Sequence, residues 1–537
     1  MVMKSCAQSL RSPCIPSRSG AVSPACSSSQ PTSSKPVCRR RHQALRYRPV
    51  TVFGSEFTSL IFLSLVFSFT SFASGLHVSN STYFSHEDTK TLHQNLSSLV
   101  DAGRFDGAYV VGSKSGEVVL KDVVGYHHQG SHPFFRLFSM TKPITAVLTL
   151  QLAEEGELSL DDEIAMYLPE LAHLTVYDGV TDLFGQAGPW GSLQNVTTPT
   201  DRSSAQKDSA EANFRATRKA YSELLARRQG FLSHPATRNA TIRELLTHTA
   251  GFAYGDNLGH PVDDAYDEAL LTDFYGHTEI DFLRTLADIP LLTEPGTEFH
   301  YSLGFDVLGV LLGRVGKKPL DVLMKEKVFE PLGMHETGFF IPMKKLWRLA
   351  PMKVAEDMEG LGAKLTELSA TEDPPFKSGG GGLISTAQDY LKFANMLLRK
   401  GKSKEGRQVL GEKSVEAMTS NQLLPHQLPY HMAGFPDFEG SGFGYGVMVV
   451  GDGEVSPSSP LGEVSWAGLA SNSWWISPQQ DTALVAMTQV IPFDRTLEDL
   501  VKPFFYKPFL HEGNQKEKEK GGGSRSLRGS AERLGEV

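Results

Sequence analysis

Cysteine is nearly missing from this chain of 537 residues, and the four it has, Cys6, Cys14, Cys26 and Cys38, all precede residue 39. The long remainder therefore has no disulfide framework, no thiolate metal ligand and no cysteine nucleophile. Also absent are H-E-x-x-H, the P-loop and G-x-S-x-G, which removes the zinc-peptidase, nucleotide-cradling and nucleophile-elbow readings. No cofactor and no metal are expected. Acidic residues are missing from the first 55 positions, which carry nine Lys/Arg, so the rest holds 43 basic against 61 acidic residues. An acidic body excludes nucleic acid as the natural partner.

The basic, Ser/Pro-rich leader (1–56) runs into "FTSLIFLSLVFSFTSFASG", whose apolar core, Phe57 to Ala73, is short for a membrane span and rich in hydroxyls. We read residues 57–74 as a signal sequence or signal anchor. The body would then be lumenal or extracellular, and membrane contact would come through 57–73. The alternative is a transit peptide for a mitochondrion or another organelle, since the leader is Arg- and Ser-rich and acid-free. Four N-x-S/T triplets, at Asn80, Asn95, Asn195 and Asn239, follow the run.

The body, 86–511, alternates strand and helix patterns and is expected to be α/β (α+β). "FDGAYVVGSKSGEVVLKDVVGY" reads as two strands around a Ser-Lys-Ser-Gly turn. "TIRELLTHTAGF" reads as a helix stopped by Gly251, and "GFDVLGVLLGRVG" and "AQDYLKFANMLLRKG" as two more. Three consecutive strands are expected from "GFGYGVMVV", "GEVSWAGLASNSWWISP" and "TALVAMTQVIP". Strands at both ends with helices between predict one sheet closed by the two ends of the body. Residues 180–235 are a polar insertion with one charged helix at 213–228, and 512–537 a disordered charged tail. Nothing sets an oligomeric state.

Chemistry is concentrated in "FRLFSMTKPITAVLTLQLAEEG". Pro143 suits a first helical turn. Ile144, Val147, Leu148 and Leu152 recur at helical spacing while Ala146, Leu150 and Ala153 fill the other side, so the helix is expected to be buried nearly all round. That draws Lys142 toward the interior, within a turn of Ser139. A desolvated lysine can take the proton of a serine hydroxyl, and the amides at the helix start favour the negative charge that develops. The four letters S-x-x-K are weak alone: Ser204 to Lys207 also match them, in a polar stretch with nothing to desolvate the amine. "KSGGGGLIST" is expected as a tight turn before a helix or a loop bordering a site. His248 is expected to be structural, at the end of its helix, rather than a base.

Taken in order, "FRLFSMTKPIT", "LSLDDEIAMYLPEL", "TIRELLTHTAGFAYG", "PGTEFHYSLGFDVLGVLLG", "KSGGGGLISTAQDYLKFANMLL" and "VSWAGLASNSWWISPQQDTALVAMTQ" resemble the serine β-lactamase-related hydrolases, the class C-like branch with the family VIII carboxylesterases and acyltransferases. The resemblance implies a β-lactamase/transpeptidase-like fold, an antiparallel sheet flanked by helices with an inserted all-helical region. It implies an acylated Ser139, Lys142 as its base partner and Tyr301 sharing proton transfer. Two departures bear on substrate. Leu303 stands where β-lactamases usually carry Asn, and Trp466-Ala467-Gly468 stands where they carry a carboxylate-binding Lys. A carboxylate facing an indole gains no ion pair. Arg215 or Arg218 in the insertion would be a substitute cation. Gly468 would admit the substrate to the strand, and the backbone N–H of Leu469, with that of Ser139, would form the oxyanion hole. The expected function is an esterase or acyltransferase on small neutral acyl esters. A β-lactamase or D-Ala carboxypeptidase is the alternative enzyme, and a non-catalytic scaffold the alternative of another class.

Overall fold

The computed structural model describes residues 83–126, 132–180, 231–255, 259–355, 368–432, 438–451 and 458–509. The leader, the apolar run, Ser204 to Lys207, the helix at 213–228, Arg215, Arg218 and the tail lie outside them. Among the described residues no helix is long and apolar enough to cross a membrane.

Seven strands build the main sheet: β1 (Ala108–Lys114), β2 (Glu117–Val124), β3 (Ser441–Phe443), β4 (Met448–Val450), β5 (Val464–Gly468), β6 (Asn472–Ser477) and β7 (Thr482–Met487). Their order is β2-β1-β7-β6-β5-β4-β3, every pair antiparallel. β1 and β2 turn through Ser115 and Gly116, both at positive φ (52° and 78°), the backbone a tight hairpin requires. The first strand lies against the last, with Tyr109 opposite Met487, so the two ends of the body close the sheet as expected.

Both faces of this sheet are covered, and its strands alternate between two hydrophobic layers. Val110, Trp475 and Leu484 pack with Leu92 and Leu96 of α1 (His86–Asp101) and with Val501 and Phe505 of the last helix, Thr496–Tyr506. Their neighbours Tyr109, Val111, Trp474 and Val485 join the larger layer with α2 (Lys142–Glu154), α3 (Gly304–Gly316) and α4 (Ala387–Leu398). A sheet buried on both faces explains why these strands read as continuous apolar runs. α2 is enclosed on all sides: Lys142 to Leu152 are all buried. Relative to exposure, each large apolar side chain enclosed contributes about 1.5–3 kcal/mol.

Two expectations need correction. The three C-terminal segments hold five sheet strands and a two-residue strand, Val490–Ile491, because Gly446 at positive φ and the Gly468–Asn472 hairpin each turn the chain within a segment. The helix of "TIRELLTHTAGF" spans Ile242–Leu246 and ends before Gly251, since His248 itself adopts positive φ (57°). Its start carries a full capping box between Thr241 and Glu244. The insertion's margins form an antiparallel ribbon, Thr175–Val180 with Phe231–Pro235, and residues 181–230 lie outside the described chain.

Candidate active site

Ser139 sits in a short 3-10 turn, Phe138–Thr141, that runs directly into α2. The turn is pinned from several sides. Leu137 N–H donates to the Leu383 carbonyl, Leu383 N–H donates to Thr141 Oγ1, and the Tyr390 hydroxyl of α4 donates to the Met140 carbonyl at 2.9 Å. Phe138, next to the serine, is held at φ 48°, a left-handed conformation that a phenylalanine adopts only where its surroundings impose it.

Around Ser139 Oγ stand the two groups the sequence pointed to. Tyr301 Oη lies 2.6 Å away and Lys142 Nζ 3.2 Å away. Lys142 is fully buried, its Nζ donating also to the Gly380 carbonyl at 3.0 Å and lying 4.6 Å from the ring centre of Tyr301 and 5.3 Å from that of Tyr254. The two rings stack at 5.2 Å, a cation–π platform for the ammonium. "KSGGGGLIST" borders the site and also leads into α4 through the short strand Ile384–Ser385.

Trp466 is buried on β5, its ring 5.7 Å from Tyr301 and 5.2 Å from Phe443, so it walls the phenol of Tyr301. Gly468 has a reason in the fold itself: a Cβ there would collide with the Leu137 carbonyl, so its bareness lets the nucleophile turn pack against β5. Leu469, 39 % exposed, lies at the tip of the β5–β6 hairpin. Leu303 lies in the hydrophobic core with no exposed surface, its N–H bonded to the Ala253 carbonyl; its side chain is packing, not a wall of the cleft.

His248 is buried, and its Nδ1 accepts the Ser302 N–H at 3.1 Å while its ring packs 4.6 Å from that of Tyr301. Burial and, secondarily, the charge of Lys142 hold its pKa well below the ordinary range, so it is neutral and anchors the Tyr301 segment. Two neighbours escaped the sequence reading. Tyr254 carries no signal beyond "GFAYG". Asp306, a single acid inside the apolar helix "GFDVLGVLLG", was a readable one. It is 1 % exposed and accepts from Ser378 Oγ and from Gly380 N–H at 3.2 Å. Burial raises its pKa and the charge of Lys142 opposes that rise. Among the described residues no cluster of His, Cys, Asp or Glu is fit to hold a metal.

A serine whose oxygen meets both a buried lysine and a phenol, at the start of a helix beside an antiparallel sheet, is the arrangement of a serine hydrolase. The Beta-lactamase family model matches residues 92–499. An uncharacterized protein of Mycobacterium tuberculosis is 30 % identical over 410 residues, covering 74 % of this chain and 89 % of that protein. The esterase EstB of Burkholderia gladioli is 24 % identical, covering 75 % and 91 %. The solved structure of simvastatin synthase (LovD) from Aspergillus terreus superposes with a TM-score of 0.59 at 19 % identity, covering 80 % of this chain and 99 % of that one. The chain belongs to the β-lactamase family, and within it is a serine hydrolase or acyltransferase.

Proposed function

We propose that the protein forms an acyl-enzyme on Ser139 from small neutral acyl esters and passes the acyl group to water or an alcohol. The observation that carries this is the double approach to Ser139 Oγ, 2.6 Å from Tyr301 Oη and 3.2 Å from Lys142 Nζ. In the acylation step the serine proton passes to this pair, the Oγ–carbonyl bond forms, and the ester C–O bond breaks as the leaving alkoxide takes the proton back. The same pair then deprotonates the incoming water or alcohol. Either direction of proton transfer uses the same heavy-atom geometry. The N–H groups of Ser139 and Leu469 would hold the oxyanion.

The choice of neutral esters over penicillins rests on Trp466, whose indole beside Tyr301 cannot neutralise a carboxylate. The esterase named among the relatives supports the same choice. Leaving such a group unpaired costs about 1–3 kcal/mol, about one to two orders of magnitude in kcat/KM. The test compares p-nitrophenyl butyrate with benzylpenicillin on one preparation, Ser139→Ala as the blank. A faster reaction with the ester is expected, and equal or greater efficiency on the penicillin overturns the reading. The body is further proposed to lie across a membrane from its leader, supported by the nine cations before the apolar run. Glycan addition at Asn95, exposed on α1, in sealed microsomes is the expected result.

A further inference from the structure

We propose that Asp306 is a positioning residue that holds the Lys142 ammonium through the Gly380 backbone and sets the pH above which Lys142 takes the Ser139 proton. The inference rests on the acyl-Ser139 reading. Its ground is a buried chain of contacts. On the first turn of α3 the Asp306 carboxylate accepts from Ser378 Oγ and from Gly380 N–H at 3.2 Å, and the Gly380 carbonyl accepts from Lys142 Nζ at 3.0 Å. The loop is held in that place from its other side by Thr145 Oγ1 of α2, which donates to the Gly379 carbonyl at 2.6 Å.

The glycines make this approach feasible. A Cβ on Gly380 would collide with the Asp306 carboxylate, and one on Gly379 would meet Phe305 O and lie 3.1 Å from Gly309 of α3. The loop is therefore pressed onto α3 at the one turn that carries an acid. A loop needs no acid to pack against a helix, and an asparagine would also accept from Gly380 N–H. What a carboxylate adds is charge, placed one residue's backbone away from the ammonium in a low-dielectric site.

The titratable groups seen against Lys142 among the described residues come from three further elements. Tyr301 and Tyr254 present ring faces, and His248, from the end of the helix Ile242–Leu246, is neutral. Asp306 supplies the negative charge, and the charge of Lys142 opposes the rise that burial gives the Asp306 carboxyl. A negative charge beside an ammonium favours its protonated form, so Asp306 moves the onset of proton acceptance to higher pH than burial alone would set. It also prevents the lysine from withdrawing toward solvent, keeping Nζ within reach of Ser139.

The experiment follows phosphonylation of Ser139 by a fluorophosphonate, Oγ displacing fluoride from phosphorus, read by intact mass and peptide mapping as a function of pH, on the full chain and on Asp306→Asn. The acid limb of the rate is expected to move to lower pH by about one unit in the variant, with the thermal midpoint little changed. Should Asp306→Asn not fold, Asp306→Ser, which removes the charge and leaves a small hydroxyl, is expected to give the same direction of shift. A folded variant whose rate falls equally at every pH, with the limb unmoved, overturns the inference and makes Asp306 a loop anchor. Absence of any Ser139 adduct in the unaltered chain would instead remove the acyl-enzyme reading, and this inference with it.

Discussion

Two lysines are buried on opposite faces of the same sheet, and they are satisfied in different ways. Lys502, on the last helix, faces the fully buried Glu463 at 2.7 Å and donates to Ser459 Oγ at 2.8 Å. Lys142 is set against a serine hydroxyl, a backbone carbonyl and two aromatic rings, with its acid, Asp306, one residue's backbone away. A direct contact with a carboxylate commits the ammonium to that one partner. An ammonium held by dipoles and ring faces remains able to exchange a proton with a neighbour. On the proposed mechanism the fold thus carries a structural lysine and a reactive one, the first bonded directly to a carboxylate and the second linked to one through the Gly380 backbone.

The comparison breaks most sharply at Lys142. Replacing it with Met is expected to lower ester turnover by about a hundredfold or more while stability changes by no more than about 1–2 kcal/mol, measured by steady-state kinetics beside denaturant unfolding. Lys502→Met should do the reverse. Turnover stays within about threefold, while stability at pH 8 falls by about 3 kcal/mol because Glu463 loses its partner. Adding Glu463→Gln should restore most of that loss.

A pH series sharpens the same contrast. Burial, ahead of the opposing pull of Lys502, pushes the Glu463 carboxyl up to about 7. The folded chain then keeps a proton that the unfolded chain releases near 4.5, so stability declines as pH rises from about 4.5 to 7, and Glu463→Gln flattens that slope. The smallest effect has the opposite sign. Glu336, hydrogen-bonded foremost by Arg348 and also by Lys345, is held down to about 2. Its contribution is present above about 4.5 and lost as pH falls toward 2, on the order of 1 kcal/mol after solvent screening, and Glu336→Gln removes it.

What the sequence made legible followed local rules. The apolar enclosure of α2, the turn at Ser115 and Gly116 and the closing of the sheet by its ends could be read because periodicity and turn chemistry act over a few residues. Ser139 and Lys142 were legible for the same reason, being one turn apart. Tyr301 came within reach only through the family resemblance, since its place at 2.6 Å from Ser139 depends on tertiary packing across 162 positions. Leu303 and Gly468 show the limit of transferring a motif by position. One side chain is in the core, and the bareness of the other is required by Leu137. Asp306 and Tyr254 were missed because an acid in a first turn and an aromatic near a glycine have ordinary local explanations.

The closing of the sheet by β1 and β7 has a consequence in time. Thr488 Oγ1 bonds the Gly107 carbonyl across 381 positions, and β5, which braces the turn bearing Ser139, is made only shortly before. A nascent chain therefore carries its serine and lysine through most of synthesis, at about 5–20 residues per second, without the strands that hold them in register. A product ending before Met487 lacks the strand that closes the sheet, and it is expected to give no Ser139 adduct with a fluorophosphonate.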